Sequence, residues 1–409
     1  AYFVPWINPT GIGEAFGNLR QRNQFATLTS MGLAVLVWHP PARRGRPAWH
    51  LFAAALLAIG NAASSSRTGM AQLATLFIMV GIWGGLSRAP TRRIVVTAVL
   101  TYCVAIVLLP WLLGADPDTV GILARLHNAG PACASRLVLW ANVVELIAQK
   151  PWWGWGWGEL DYAHFITLYP AARFCDILDN AHNLPLHLAV ELGVPVAVLV
   201  VGVGLGLAIG GRPWRETSPA RQMSWALLAL VLLHSMLEYP LWYGPFQITA
   251  GLCVWMLWST RRPVQSSMPE QEGPSRRFGV KVLAVTLLAG LAYTAWDYRR
   301  VSQIYLAANE RAPAYRDNTF EKVKDSRLFA RQVRFAELTT TEVTPENAAY
   351  INAMAHELLH FSPEARVVEK LIESAALLGR DEEVLAFLAR YQAAFPAAHA
   401  QWLKRQVSP

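Results

Sequence analysis

The sequence contains little charge for its length. Only 16% of its 409 residues are charged, whereas 54% are hydrophobic, and the mean hydropathy is positive. Because soluble domains carry about 25% charged residues, this composition excludes an ordinary soluble protein and indicates an integral membrane protein. The net charge of +8 requires no nucleic-acid partner, since basic residues retained on the cytoplasmic side of a membrane account for it.

Cysteine is also scarce, with four residues in the chain. Cys103 and Cys253 lie in apolar runs and are expected to be small buried residues. Cys133 and Cys175 share one long polar loop, where an oxidising compartment favours a disulfide between them. Two free thiols are the alternative.

A secretory leader is missing as well. The chain begins with alanine, and no basic and apolar leader with a small-residue cleavage site precedes the stretch AYFVPWINPTG. We therefore expect an N-terminal portion of the protein, with one or more leading helices, to precede this sequence.

Apolar segments dominate what the chain does contain. Eight of them approach the roughly 20 residues that a helical membrane span needs. They are residues 25–38, 49–63, 70–86, 94–114, 184–210, 223–237, 243–258 and 280–296. The predicted fold class is therefore all-α, a polytopic transmembrane helical protein with about eight spans.

Basic residues alternate between the connections of these spans. Residues 39–48, 87–93, 211–222 and 259–281 contain fourteen arginines and lysines, whereas 64–69 and 238–242 contain one, Arg67. Since positive residues are retained in the cytoplasm, both ends of the chain are predicted to lie outside. The chain is therefore predicted to consist of five parts. In order, these are an outer segment (residues 1–24), membrane spans within residues 25–114, a large outer loop (residues 115–183), membrane spans within residues 184–297 and an outer helical domain (residues 298–409).

The outer domain after residue 297 has a helical pattern. Val367, Leu371 and Ala375 recur at helical spacing, and Phe361 and Phe395 lie 34 residues apart. This period suits a helical hairpin repeat of the tetratricopeptide kind, and a generic helical bundle is the alternative.

Two arginines are candidates for binding an anion. Arg67 lies among hydroxyl residues in SSSRT, between two apolar segments, where it either forms an anion site or extends its side chain to the interface. Arg136 begins an amphipathic segment of the outer loop, and taken alone it is an ordinary solvated arginine. Arg20 and Arg22 could contact anionic lipid headgroups.

The tryptophan-rich stretch PWWGWGWGELDYAHF follows that segment. Tryptophan prefers the membrane interface, so anchoring is the simpler interpretation. Stacking of the tryptophan rings on sugar faces is the more specific interpretation, because the glycines would let the loop approach a ligand closely.

The stretch DNAHNLPLH contains the most titratable cluster. Pro185 predicts that a helix begins there, which leaves His182 in the loop and puts His187 in the first turns. His182 then suits a general base, whereas a metal site formed with His187, Asp179 and Glu191 has irregular spacing.

A second histidine cluster lies further along the chain. His234 and Glu238 are four residues apart, which predicts a structural pair on one helix face.

Five stretches, taken in order, resemble the successive motifs of the bacterial O-antigen ligase superfamily. They are GNLRQRNQFAT, SSSRTG, SRLVLW with the tryptophan-rich stretch, DNAHNLPLHLAVELG and HSMLEYPLWYGPF. The resemblance covers residues 17–246. The helical domain after the last span resembles the protein-directed branch, the pilin O-oligosaccharyltransferases.

This resemblance implies an enzyme of the periplasmic face of the bacterial inner membrane. It would move a preassembled glycan from undecaprenyl pyrophosphate to a serine or threonine hydroxyl of a pilin-like protein, with no metal or other cofactor. His182 would activate the hydroxyl, and Arg67 and Arg136 would hold the pyrophosphate. The residues expected to support them are Gln21, Arg22, Asn183, His234 and Glu238.

Other functions stay open as alternatives. Within enzymes these are ligation of a glycan to lipid A core and glycan polymerisation. A lipid or polysaccharide transporter is the alternative from another class, but it should show internally repeated halves and polar residues near mid-membrane, and neither pattern is evident in the sequence.

Overall fold

The computed structural model describes residue 8 and residues 10–39, 47–116, 118–127, 131–261 and 274–407. All regular structure within these ranges is helical. Residues 1–7 of the predicted outer segment, and most of the predicted basic connections at 39–48 and 259–281, lie outside the described residues. The chain divides into two compact units, Ala1–Gly154 with Asn180–Val264, and Trp155–Asp179 with Gln265–Pro409.

The α-helices of the described residues are numbered in chain order. They are α1 (Arg22–Trp38), α2 (Pro47–Ala63), α3 (Arg67–Ile82), α4 (Ala89–Leu112), α5 (Ile122–His127), α6 (Arg136–Gln149), α7 (Leu160–Ile166), α8 (Leu184–Leu192), α9 (Val194–Gly211), α10 (Pro219–Ser235), α11 (Gly244–Ser259), α12 (Pro274–Ser302), α13 (Ala330–Thr340), α14 (Ala348–Leu359), α15 (Ala365–Leu377), α16 (Asp381–Ala394) and α17 (Pro396–Val407). The predicted outer loop, residues 115–183, thus contains α5, α6 and α7.

Helix α1 lies at the centre of the first unit, in contact with α2, α3, α4 and α10. Its Leu33 is fully buried in one apolar core with Leu76 and Leu230. Gln72 and Thr27 are paired polar groups inside this core, since Gln72 Nε2 donates to the carbonyl of Leu230 at 2.9 Å and Gln72 Oε1 accepts from the Thr27 hydroxyl at 3.1 Å. Buried amides and hydroxyls are tolerated in an apolar bundle when they are paired in this way.

Helices α1 and α3 approach most closely at Gly69. A Cβ added there would lie 2.6 Å from the Cβ of Ala26, so the site accepts no larger residue without a shift of backbone. This close approach holds the first turn of α3, with Arg67, against the first half of α1.

Three of the described helices are long and apolar enough to cross a membrane. They are Ala89–Leu112, Val194–Arg215 and Phe278–Tyr305, and Ala48–Ala63 and Arg67–Ile82 are shorter apolar helices. Large apolar side chains of α9 and α12, such as Leu199 and Leu288, are exposed, as expected of spans that face lipid. The count of eight spans stays a prediction.

The predicted single span at residues 184–210 is wrong. The run is broken at Gly193 into α8 and α9, because Gly193 has a φ of 87° and a ψ of 158°, a conformation that only glycine adopts easily. A Cβ at Gly193 would lie 2.2 Å from the carbonyl oxygen of Trp152, and the amide of Val194 donates to the carbonyl of Pro151 at 2.8 Å. The tryptophan-rich loop therefore packs against the break, and the apolar span begins at Val194.

The second unit is a helical domain built from α12 to α17 and the short α7. Val367, Leu371 and Ala375 are fully buried along α15, which confirms the predicted helical face. The loop helix α7 contributes to the same core, because Phe165 is buried with its ring 6.4 Å from that of Phe387. Segment 155–179 of the outer loop is thus an internal part of this domain.

Successive helices at the end of the chain pack on one another, α14 with α15, α15 with α16 and α16 with α17. Phe361 follows α14, and Phe395 follows α16, two helices later. The 34-residue period therefore coincides with a helical hairpin, and a tetratricopeptide kind of repeat stays a prediction.

Candidate active site

Three helices of the first unit begin with an arginine at one cavity. Arg22, Arg67 and Arg136 are the first residues of α1, α3 and α6. Each helix is capped by the preceding residue, whose side chain accepts a hydrogen bond from a backbone amide; the caps are Gln21, Ser66 and Ser135. Helix N-termini carry partial positive charge, so the helix ends and the arginines attract anions together.

The cavity between these helix ends has a volume of about 400 Å³. It contains five arginines and two glutamates, and it also contains one histidine. The residues that line it are Glu14, Phe16, Arg20, Gln21, Arg22, Asn23, Arg67, Thr68, Arg125, Arg136, His182, Glu238 and Tyr239. Six of the predicted site residues therefore share one cavity, namely Gln21, Arg22, Arg67, Arg136, His182 and Glu238.

His182 lies directly before α8 and faces Glu238. Its Nδ1 is 2.8 Å from Glu238 Oε2, and since an ionised carboxylate only accepts, Nδ1 is the donor in this contact. The backbone of His182 has a φ of 50°, in the left-handed region, and its amide donates to Asn180 Oδ1 at 2.9 Å. Such strained conformations are concentrated at functional sites. The imidazole of His182 is thus held in place by Glu238 and by its own backbone.

Glu238 joins several groups of the cavity. Its Oε1 accepts from Arg136 Nη2 at 2.5 Å and from Asn23 Nδ2 at 3.0 Å, while Oε2 accepts from His182. Burial acts to raise the pKa of Glu238, but the hydrogen bond from His182 and the charges of His182 and Arg136 outweigh it, so this pKa is lowered. Glu238 is therefore an ionised carboxylate at neutral pH, held against its partners.

Among the described residues, the side chains of His234 and Glu238 form no hydrogen bond or ion pair, so the predicted pair is not a direct contact. Helix α10 ends at Ser235, and the amide of Glu238 donates to the carbonyl of His234 at 2.8 Å. His234 is fully buried, and its Nδ1 lies 2.8 Å from the Thr27 hydroxyl. His234 does not line the cavity, and its role is to pack α10 against α1.

The predicted division of DNAHNLPLH is confirmed at the helix start. Asn183 caps α8, accepting from the amide of Leu186 at 3.1 Å, and it donates to the carbonyl of Met236 at 3.3 Å. His187 lies inside α8, buried, with Nε2 3.4 Å from Glu191 Oε2. In the part of the chain that the structure describes, no three potential metal ligands cluster. The two histidines thus face different partners, Glu238 for His182 and Glu191 for His187.

Arg67 stands at the exposed end of a buried polar turn. Ser64, Ser65 and Ser66 are all buried, and the Ser66 hydroxyl donates to Asn23 Oδ1 at 2.6 Å. Arg67 itself is exposed toward the cavity. The serines therefore shape the start of α3, and the guanidinium is left open to a ligand.

Arg125, which no sequence motif singled out, also lines the cavity. Its Nη1 donates to the carbonyl of Ser65 at 2.7 Å. Burial, followed by the charges of Arg22 and Arg67, lowers the pKa of Arg125 to about 10, so it remains protonated at neutral pH. The signal that could have found it is its charge within a loop that has few other cations.

The tryptophan-rich loop is ordered by backbone packing. Gly154 has a φ of 69°, and a Cβ there would lie 2.3 Å from the carbonyl oxygen of Glu191, so this glycine approaches protein backbone rather than a ligand. Trp152 and Trp153 are 71% and 87% exposed. Their place at the start of the α9 span agrees with interfacial anchoring.

The cysteines divide as the sequence suggested. Cys133 and Cys175 are disulfide-bonded, whereas Cys103 and Cys253 are free, with Cys103 exposed on its helix and Cys253 buried. The expectation that Cys103 is buried is therefore wrong. That Cys133 and Cys175 bond to each other stays a prediction.

Known families match three successive parts of the chain. The family described as "Protein glycosylation ligase" matches residues 15–38, "O-Antigen ligase" matches residues 52–201, and "Virulence factor membrane-bound polymerase, C-terminal" matches residues 222–408. No solved structure matches the chain.

Two curated relatives come from Acinetobacter baylyi. A general O-oligosaccharyltransferase is 24% identical over 182 residues, which is 43% of this chain and 30% of that protein. A ComP-specific O-oligosaccharyltransferase is 24% identical over 246 residues, which is 59% of this chain and 43% of that protein. The chain thus spans less than half the length of either relative.

The fold and the cavity define a helical membrane protein with a histidine and carboxylate pair in an arginine-rich site. By these matches the chain is similar to the O-antigen ligase superfamily and, within it, to the protein-directed branch.

Proposed function

We propose that this chain is a glycosyltransferase that moves a preassembled glycan from undecaprenyl pyrophosphate to a serine or threonine hydroxyl of a pilin-like protein. The observation that carries the proposal is the joint placement of the His182–Glu238 pair with Arg67 and Arg136 in one cavity. A base and a set of fixed cations are the two requirements of this transfer.

The histidine would act on the acceptor. The hydroxyl oxygen attacks the anomeric carbon of the glycan, and the hydroxyl proton passes to His182 Nε2, because Nδ1 is held by Glu238. A hydroxyl is a poor nucleophile until a base removes its proton during attack, and such general base catalysis contributes about 10² to 10⁴ in rate. Glu238 then stabilises the imidazolium that forms.

The arginines would act on the leaving group. The bond between the anomeric carbon and the phosphate oxygen breaks, and the lipid pyrophosphate leaves with the electron pair. Arg67 and Arg136, at the N-termini of α3 and α6, can donate to the oxygens on which negative charge increases. Forked guanidinium donors suit phosphate oxygens better than a lysine does.

The acceptor class rests on the relatives. Both are named O-oligosaccharyltransferases, and one is specific for ComP. We propose a pilin-like acceptor in the periplasm, with both chain ends on that side of the inner membrane and eight spans between them. The alternation of basic connections supports this orientation. An alkaline phosphatase fused after residue 407 should be active, and an inactive fusion in a stable chain would contradict it.

Glycan polymerisation is a second candidate function. A specific observation favours it, the match of residues 222–408 to the C-terminal part of a virulence factor membrane-bound polymerase family. The chemistry at His182 would be the same, with a sugar hydroxyl as the nucleophile. Lengthened lipid-linked glycan without any glycosylated protein would favour this candidate.

The test is the His182→Ala variant, expressed with a pilin-like protein and a lipid-linked glycan. We expect wild type to add the mass of the glycan to the pilin, and the variant to lose at least a hundredfold in rate while the lipid-linked donor accumulates. His127→Ala is the matched control, since His127 is exposed at the end of α5 in the same outer loop and does not line the cavity. An unchanged pilin mass shift in the His182 variant would overturn the mechanism.

A further inference from the structure

Arg125 occupies a position that the proposed chemistry does not yet use. It belongs to the short helix α5 and reaches back to the turn before α3, where its Nη1 donates to the carbonyl of Ser65 at 2.7 Å. It is half-buried and lines the same cavity as Arg67 and His182.

The turn that Arg125 holds is strained. Ser65 is a buried residue with a φ of 49°, in the left-handed region that favours glycine. The next two residues are the cap Ser66 and Arg67, so the conformation of this turn sets the direction of the first turn of α3. One guanidinium nitrogen of Arg125 therefore has a structural task, and a guanidinium has further donors.

The charges of the cavity are not balanced. Glu14 accepts a hydrogen bond from Arg22 at 3.0 Å, and Glu238 accepts hydrogen bonds from Arg136 and His182. Among the described residues, the remaining arginines of the cavity, Arg20, Arg67 and Arg125, form no ion pair with a carboxylate. A half-buried guanidinium near other cations is unfavourable unless an anion enters.

We propose that Arg125 is a third phosphate-binding residue, which donates to the pyrophosphate that Arg67 binds while it holds the carbonyl of Ser65. The assignment rests on the proposed function for the identity of the donor, a lipid pyrophosphate. It gives the cavity three guanidiniums around the leaving group, and it makes the bound anion and the start of α3 depend on one side chain.

Arg125→Gln separates the two tasks, because glutamine keeps an N–H donor for Ser65 but loses the charge. We expect binding of inorganic pyrophosphate to the purified chain, measured by calorimetry with the metal chelated, to weaken about ten- to a hundredfold, and the KM for the lipid-linked donor to rise by a similar factor. Arg173→Gln is the control, since Arg173 also donates to a backbone carbonyl, that of Thr167 at 2.9 Å, but belongs to the second unit.

A double variant excludes a purely structural effect. In Arg125→Gln with Ser65→Gly, glycine adopts the positive φ without strain, so the turn no longer needs to be held. Weak pyrophosphate binding that persists in the double variant supports the assignment. Wild-type binding in either the single or the double variant overturns it. Because this binding requires no acceptor, a chain that binds pyrophosphate through Arg125 but transfers no glycan would refute the proposed function and leave the assignment intact.

Discussion

Replacing Glu238 with glutamine removes one negative charge from the cavity and leaves the size of the side chain unchanged. In wild type the carboxylate accepts from three donors, His182 Nδ1 at 2.8 Å, Arg136 Nη2 at 2.5 Å and Asn23 Nδ2 at 3.0 Å. An amide has one accepting oxygen, and its nitrogen only donates. The amide nitrogen must therefore face either His182 Nδ1 or Arg136 Nη2, and that nitrogen then has no acceptor in the new side chain.

The loss of activity depends on which of these two hydrogen bonds the amide cannot form. If the amide nitrogen faces His182, Nδ1 must accept, so the proton moves to Nε2 and the imidazole is no longer a base. If it faces Arg136, two donors meet and the guanidinium loses its partner. Because general base catalysis is worth about 10² to 10⁴ in rate, we expect kcat to fall by that factor, about 3 to 5 kcal/mol in the barrier.

The assay is transfer of glycan by the purified chain at saturating lipid-linked donor, followed by the mass of the acceptor protein. Glu14→Gln makes the same change of charge at the other carboxylate of the cavity, which is more exposed and binds Arg22. We expect that variant to lose less than about fivefold, as for a surface ion pair. Near wild-type kcat in the Glu238 variant would refute the reasoning.

The lowered pKa of Glu238 adds a dependence on pH. A carboxyl whose pKa is lowered in the folded state stabilises that state fully above its ordinary value of 4.5, and this contribution is lost as the pH falls through the lowered pKa. Glu238 should therefore remain ionised, and able to accept from Arg136 and His182, from neutral pH down to about that ordinary value.

Two further predictions concern other parts of the first unit. Arg67→Lys should lower donor-dependent activity about tenfold or more, because an ammonium cannot reproduce the forked donors. Arg92→Lys on α4 should leave the activity unchanged. Full activity of the Arg67 variant would argue that its side chain simply extends to the interface. Gly193→Ala should destabilise the chain by about 3 kcal/mol or more, because alanine is strained at this φ and its Cβ meets the carbonyl of Trp152. Gly202→Ala, where nothing lies within 4 Å, should not destabilise α9, and equal melting temperatures of the two alanine variants in detergent would contradict the argument.

Local signals in the sequence were sufficient for some of the site. Pro185 correctly predicts where α8 begins, because proline is favoured in the first helical turn, and this separates His182 from His187. Serines before Arg67 and Arg136 are helix caps, which is why both arginines stand at helix starts. Local signals in the sequence are therefore sufficient to predict where a helix starts and which side chain lies at its start.

Other features depend on contacts between distant parts of the chain. Glu238 follows the end of α10, so its carboxylate meets His182 and Arg136 rather than its neighbour His234, and helical spacing could not show this. Arg125 acts on Ser65, 60 residues earlier in the chain. The break at Gly193 had a local signal in the sequence GVP, but uniform hydropathy concealed it.

The inclusion of α7 in the second unit has a consequence for biosynthesis. Phe165 packs against Phe387 and Phe395, and Arg390 donates to the carbonyl of Ile166, so the partners of α7 are made more than 200 residues after it. During synthesis α7 is made early and has no core to join until the last helices of the chain have been made. Segment 155–179, which precedes His182 in the chain, is therefore among the last parts of the protein to become ordered.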